Sequence, residues 1–348
     1  MNPESKKIAI LALTPGGFSL AEGLADEIPG AFPAGKGDRV SRTLASLWGE
    51  VDGFVCIMAA GIVVRAVSSL LRDKKSDPCI VVLDEKGRYA VSLLSGHLGG
   101  GNELAARIAG LTGGQAVITT ASDTLGLPAL DLWIREQDLV PEDSKDLTGI
   151  SARLVESGGL TVYSEIPVDS LPEGLSELSD IHRADIVVSN RIDLPDRPGI
   201  LRPRNLVVGV GCNRGTPVQE FEEALTELFA EAGMSFLSVR NLASMDLKSD
   251  ESGLLDFAGL HNWRIDFYSR DELSAVKNLT VSPAVLKAVG ATGVAEPASL
   301  LSVQDHNYTE EVLFKKLIIR KRKWRNVTMA VAEAGFTLSA QARVRQST

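Results

Sequence analysis

The feature that most constrains this chain is an alternation of two periodicities. Short apolar runs at residues 8–13, 54–59, 79–83, 89–94 and 115–120 have the length of buried strands. Between most of them, at 19–28, 40–47, 62–71 and 102–111, apolar residues recur at three and four spacing, the period of a helix packed on one face. Strand, helix and strand in succession require a crossover, so a mostly parallel sheet flanked by helices is expected over residues 1–138. One connection breaks the rule. Asp84-Glu85-Lys86-Gly87 is too short to carry a helix, and a hairpin is expected there.

A second alternating unit opens at residues 206–211. Its first helix is signalled by Thr216 as cap, Pro217 at the first helical position and Gln219 closing a capping box. Ser269 and Glu272 repeat the device, 263–268 reads as a strand, and 313–323 with 327–332 reads as a hairpin. Between the two units, Pro167, Pro172, Pro195, Pro198 and Pro203 punctuate a segment in which only 160–163 and 185–189 look like strands. The expected fold is therefore α/β: mostly parallel sheets flanked by helices in N- and C-terminal domains (1–138 and 204–348), with a small α/β middle domain (139–203). A length of 348 residues suits two or three domains.

Composition narrows the function classes. A net charge of -9, from 45 acidic and 36 basic residues, argues against a chain that wraps nucleic acid. The longest uncharged apolar stretch, 53–64, falls short of the roughly 20 residues that cross a bilayer, so no membrane partner is expected. Cys56, Cys79 and Cys212 lie far apart in apolar stretches, which fits buried thiols in a reducing, cytoplasmic setting. His97, His182, His261 and His306 are scattered, with no Cys-x-x-Cys and no His-Glu-x-x-His, so no protein-held metal is expected.

Two segments carry polar chemistry where strands meet helices. Ser95-Gly96-His97-Leu98-Gly99-Gly100-Gly101-Asn102 would lie at the carboxyl edge of the sheet, with amides open to an anionic group and His97 able to move protons. It lacks the lysine of a nucleotide P-loop, and it also reads as a plain tight turn. Thr119-Thr120-Ala121-Ser122-Asp123 should end the next strand at the same edge, where Ser122 or Asp123 could equally be a helix cap. Gly209-Val-Gly211-Cys-Asn-Arg214-Gly215 approaches a dinucleotide fingerprint, but its third glycine is late and no acid follows the second strand, so nicotinamide and flavin are discounted. The run from Asn241 to Gly253, with Ser244 and Lys248, reads from spacing as a solvated loop.

Taken together, the loop at 96–102 with Ile118-Thr-Thr-Ala-Ser-Asp123, the turn at 209–216, and Ala243-Ser-Met-Asp-Leu-Lys248 with Ala295-Glu296-Pro-Ala298 resemble the CbiG family of cobalamin-biosynthesis proteins. The resemblance runs in order over nearly the whole chain. Gly101 and Met245 stand where the family often has alanine and isoleucine, and neither difference removes a reactive group.

What the resemblance implies is cobalt-precorrin-5A hydrolase activity in anaerobic vitamin B12 synthesis. The substrate would be a cobalt-bearing, ring-contracted tetrapyrrole whose ring A acetate lactone is opened by water. The extruded meso carbon then leaves with its methyl group as acetaldehyde. No cofactor is implied, since cobalt arrives in the substrate, and transient contact with neighbouring pathway enzymes is expected. The implied catalytic residues are His97 as general base and Asp123 as its orienter or a second proton carrier. Substrate binding would fall to Gly96, Gly99, Gly100, Gly101, Asn102, Thr119, Thr120 and Ser122, and in the C-terminal domain to Arg214, Ser244, Lys248 and Glu296. The rival class is a noncatalytic corrinoid carrier or assembly partner in the same pathway.

Overall fold

The computed structural model describes residues 6–73, 76–276, 293–303 and 316–341, and they form three mixed sheets with flanking helices. The described chain divides into two compact units, one running to Trp133 and taking in Leu154–Gly158, the other formed by Ile134–Arg153 and the described residues between 159 and 341.

In chain order, the first unit begins β1 (Ile8–Ala12), α1 (Pro15–Glu27), β2 (Ala31–Pro33), α2 (Val40–Leu47), β3 (Gly53–Ile57) and α3 (Ala60–Val67). It continues β4 (Cys79–Leu83), β5 (Tyr89–Leu94), α4 (Gly101–Thr112), β6 (Gln115–Val117) and a one-turn α5 (Ala121–Thr124), reaching α6 (Leu130–Glu136) at its boundary. The strands order as β2-β1-β3-β4-β5-β6. All of β1, β3 and β4 is buried, because helices cover both faces and no alternate residue meets water.

The expected hairpin is present: β4 and β5 pair antiparallel, and β6 then runs parallel to β5. This reversal has a geometric consequence. Leu94 at the end of β5 lies opposite Ile80 near the start of β4, so the carboxyl ends of β5 and β6 face the amino ends of β1, β3 and β4. The expectation that the His97 loop shares the sheet's general carboxyl edge is corrected here: it sits at the carboxyl ends of β5 and β6 only.

The second unit holds β7 (Leu139–Pro141), α7 (Asp146–Ser157, whose residues from Leu154 on belong to the first unit), β8 (Leu160–Ser164), β9 (Leu175–Glu177), β10 (Ile186–Val188) and β11 (Ile200–Pro203). They give a sheet ordered β7-β11-β10-β8-β9. A third sheet, β14-β13-β12-β16-β15, follows in the same unit. It is built from β12 (Leu206–Cys212), α8 (Val218–Ala232), β13 (Val239–Met245), α9 (Ser252–Leu260), β14 (Ile265–Tyr268), α10 (Arg270–Ala275), α11 (Ala295–Ser302), β15 (Leu317–Lys323) and β16 (Val327–Glu333). The pairs β12/β13 and β13/β14 are parallel, and β15/β16 forms the expected antiparallel hairpin; its anticipated first residues, 313–315, lie outside the described ones.

Two local expectations diverge at the helix starts. Ser269 and Glu272 do form a reciprocal capping box at α10. At α8, Thr216 Oγ1 instead donates to Asn213 O at 2.8 Å, and the helix starts one residue later with Pro217 at the cap position. The glycines of the 209–211 turn have a packing role. A Cβ on Gly209 would lie 1.8 Å from Ala295 O, so glycine is what lets α11 press against β12.

Candidate active site

The loop after β5 is shaped by backbone constraints. Ser95 adopts a left-handed conformation, φ 52°, although it is neither Gly nor Asn, and its Oγ donates to Asp77 O at 3.1 Å. Such strain persists only where the surroundings hold it, and it concentrates at functional positions. Gly100, also left-handed at φ 86°, caps α4. A Cβ on Gly99 would fall 2.6 Å from Ser95 O, and one on Gly96 would fall 2.5 Å from Asn102 Oδ1. Lys6 Nζ donates to Gly99 O at 3.2 Å from outside the loop.

The amides of Gly100, Gly101 and Asn102 donate to His97 O, Ser95 O and Gly96 O at 2.9, 3.2 and 2.9 Å. The loop therefore spends them on its own closure. The expectation that these three amides face a ligand is corrected, and the glycines act by letting the chain fold back on itself.

That closure presents the His97 imidazole to three polar side chains. Nε2 lies 2.8 Å from Asp123 Oδ2 and 3.4 Å from Ser122 Oγ, while Nδ1 lies 3.5 Å from Asp131 Oδ1. Asn102 Nδ2 donates to the same Asp123 Oδ2 at 3.0 Å and to Thr120 Oγ1 at 3.3 Å, which fixes the carboxylate. Thr120 holds the cap position of α5, so Ser122 and Asp123 lie in its first turn rather than capping it. Thr119 is exposed beside them. The sequence reading missed Asp131: it follows Pro128 in the first turn of α6, where an acid looks like an ordinary partner for the helix dipole.

A carboxylate at each ring nitrogen favours the doubly protonated imidazolium, because both nitrogens can then donate. Hydrogen bonding to Asp131 first, and to Asp123 after it, pushes His97 up to about 9 against the opposing pull of burial. Asp131 is the less exposed of the two carboxylates, 19% against 38% for the nearer Asp123, so water screens its charge less. At neutral pH the resting His97 carries its proton, and the groups able to accept one are the carboxylates.

The C-terminal residues gather in part. Arg214, after β12, donates to Asp250 Oδ1 at 2.5 Å and to Leu247 O at 2.8 Å. Lys248, after β13, has its Nζ 3.6 Å from the buried Glu251. Ser244 is fully buried and donates to Val210 O at 2.7 Å. Glu296 is buried, with Oε1 accepting the Lys321 amide at 3.0 Å where β15 bulges. These two side chains are committed to the packing of the third sheet. Burial pushes the Cys212, Cys79 and Cys56 thiols up to about 11, 11 and 12, so none is a thiolate nucleophile at neutral pH.

Among the described residues, no cluster of three or more His, Cys, Asp or Glu side chains is arranged to hold a metal ion, and no helix is long and apolar enough to cross a membrane. A cleft of about 520 Å³ opens at the opposite edge of the first sheet, beyond the ends of β1, β3 and β4. Its walls are mainly apolar, including Leu13, Met58 and Ile62, and its Asp84 is occupied by the amides of Lys86 and Tyr89 at 3.2 and 2.8 Å. The His97 cluster is the better equipped for proton transfer.

Residues 42–123 match the family model described as Cobalamin synthesis G N-terminal, and residues 206–332 match Cobalamin synthesis G C-terminus. A cobalt-precorrin-5A hydrolase of Priestia megaterium is 35% identical over 314 residues, covering 84% of this chain and 81% of that protein. One of Salmonella typhimurium is 33% identical over 336 residues, covering 87% and 93%. A solved structure of a cobalamin biosynthesis protein G homolog from Sulfolobus solfataricus covers 95% of this chain and 98% of its own at 21% identity, with a TM-score of 0.38. With two family models matched in order and the Priestia and Salmonella hydrolases aligned over most of their length, the chain belongs to the CbiG family.

Proposed function

We propose that this chain is a cobalt-precorrin-5A hydrolase of cobalamin biosynthesis, which opens the ring A acetate lactone and releases acetaldehyde to give cobalt-precorrin-5B. The observation that carries the reading is an imidazole gripped by two carboxylates at 2.8 and 3.5 Å, on a strained glycine-closed loop. A noncatalytic carrier has no need of such a proton-transfer group.

The chemistry follows from the protonation state. Water attacks the lactone carbonyl as Asp123 takes its proton, and His97, charged at rest, protonates the departing alkoxide. This frees a hydroxyl on the extruded carbon. His97 is then neutral and takes the hydroxyl proton. The carbon–carbon bond breaks, its electron pair passes into the macrocycle, and the two-carbon fragment departs as acetaldehyde. Asp131 and Asn102 hold the acid and base in register. In the second unit, Arg214 and Lys248 bind carboxylate arms of the substrate. The burial of the cysteine thiols supports a cytoplasmic setting, and a reactive corrinoid intermediate favours transient contact with enzymes before and after it in the sequence.

Purified protein incubated with cobalt-precorrin-5A should release acetaldehyde. His97→Asn should lower kcat by about 100-fold or more, the scale of a lost acid–base group. Wild-type release by that variant rejects the assignment of His97, and corrinoid bound but unchanged by the native chain supports the carrier.

A further inference from the structure

β12 and β13 are parallel neighbours, so the loops that follow them, 213–215 and 246–251, leave the sheet at one edge. Glu251 joins the two loops from below. It is 3% exposed, its Oε1 accepts the Gly215 amide at 2.7 Å, and its Oε2, also buried, has no hydrogen-bond partner. That oxygen faces Lys248 Nζ at 3.6 Å and Arg214 Nη1 at 3.8 Å. Two cations thus converge on one buried acid, which leaves one positive charge unbalanced by anything beneath it. What balances it is Asp250, 71% exposed, on an Arg214 that is 59% exposed.

An ion pair so open to water contributes little, because solvent screening and side-chain entropy cancel most of its attraction. The buried acid is the permanent partner, and the surface acid is the replaceable one. A carboxylate delivered by a larger ligand already held at other points meets Arg214 at high effective concentration and can displace Asp250 at small cost. Leu247 O continues to hold Nη2, so the guanidinium keeps its place during the exchange.

We propose that Asp250 is a stand-in for a substrate carboxylate, occupying Arg214 until an acidic arm of the tetrapyrrole replaces it. Asp250 is then a specificity-determining residue: it charges a toll that only a ligand with several carboxylates overcomes. The inference rests on the reading that Arg214 and Lys248 bind those arms.

The test measures KM and kcat for cobalt-precorrin-5A, by acetaldehyde release from the full-length chain, for Asp250→Asn, Asp250→Glu and Arg214→Gln. Removing the competing charge should lower KM about two- to fivefold, the range an exposed pair can contribute, with the change in KM rather than kcat. Asp250→Glu should restore the native KM, and Arg214→Gln should raise it. If Arg214→Gln raises KM while Asp250→Asn leaves it unchanged or higher, the stand-in role is overturned and the binding role of Arg214 survives. If Arg214→Gln leaves KM unchanged, the binding reading itself fails and the inference with it.

Discussion

Replacing Asp131 with asparagine keeps the shape of the side chain and removes one of the two charges that hold the His97 proton. The native rise from an ordinary 6.5 to about 9, at about 1.36 kcal/mol per pH unit, makes the double clamp worth about 3 kcal/mol to the folded state. Because the folded-state value lies above the unfolded one, that contribution is complete below pH 6.5 and is lost as pH rises through 9. Asp131 is the larger of the two causes, so Asp131→Asn should bring the His97 midpoint down by at least about one pH unit, about 1.4 kcal/mol. The assay is an NMR titration of the imidazole protons from pH 6 to 10.5, with His97→Asn identifying the resonance among the four histidines. In parallel, the stability difference between the native chain and Asp131→Asn should stay constant from pH 6 up to the variant's lower His97 midpoint and be lost as pH rises from there through about 9. A His97 midpoint that moves by less than about 0.3 in the variant refutes the reasoning, since Asp131 would then contribute no field at the ring.

Other substitutions separate shape from chemistry. Gly99→Ala places a methyl 2.6 Å from a backbone carbonyl, so the loop must open; a cost of about 1–3 kcal/mol in denaturant unfolding and a loss of acetaldehyde release are expected together. Glu296→Leu strands the Lys321 amide and should cost about 1–3 kcal/mol, whereas Glu296→Gln, which keeps an acceptor, should be mild in the same unfolding assay. Both Glu296 variants should retain the native KM for cobalt-precorrin-5A, in contrast to a role in substrate binding.

The convergence of His97 and Asp123 was legible because each follows a strand and the two strands, β5 and β6, are parallel neighbours. Their edge was misread because hydrophobic runs carry no direction; only the four-residue turn at 84–87 encodes the reversal, and its effect on later strands has to be traced through the pairing. Asp131 was invisible for another reason. It reaches the imidazole from a helix 34 residues further on, and an acid in a first helical turn has a sufficient local explanation. The glycine loop advertised accessible amides, yet a chain that turns this tightly must satisfy its own donors first. In the middle segment, β7 and β9 have three residues each, fewer than two full periods of alternation, so nothing distinguished them from loop, whereas the equally short β10 was legible as the apolar run within 185–189.

The hairpin between β4 and β5 has one further effect. At about 3.3 Å per residue, a five-residue strand holds the apolar cleft and the imidazole cluster some 16 Å apart, at opposite rims of one sheet. Mutations can therefore reshape one rim while the other keeps its form, with rigid buried strands as insulation. By reversing direction once, the sheet carries strand carboxyl ends, and the loops that follow them, at both rims instead of one.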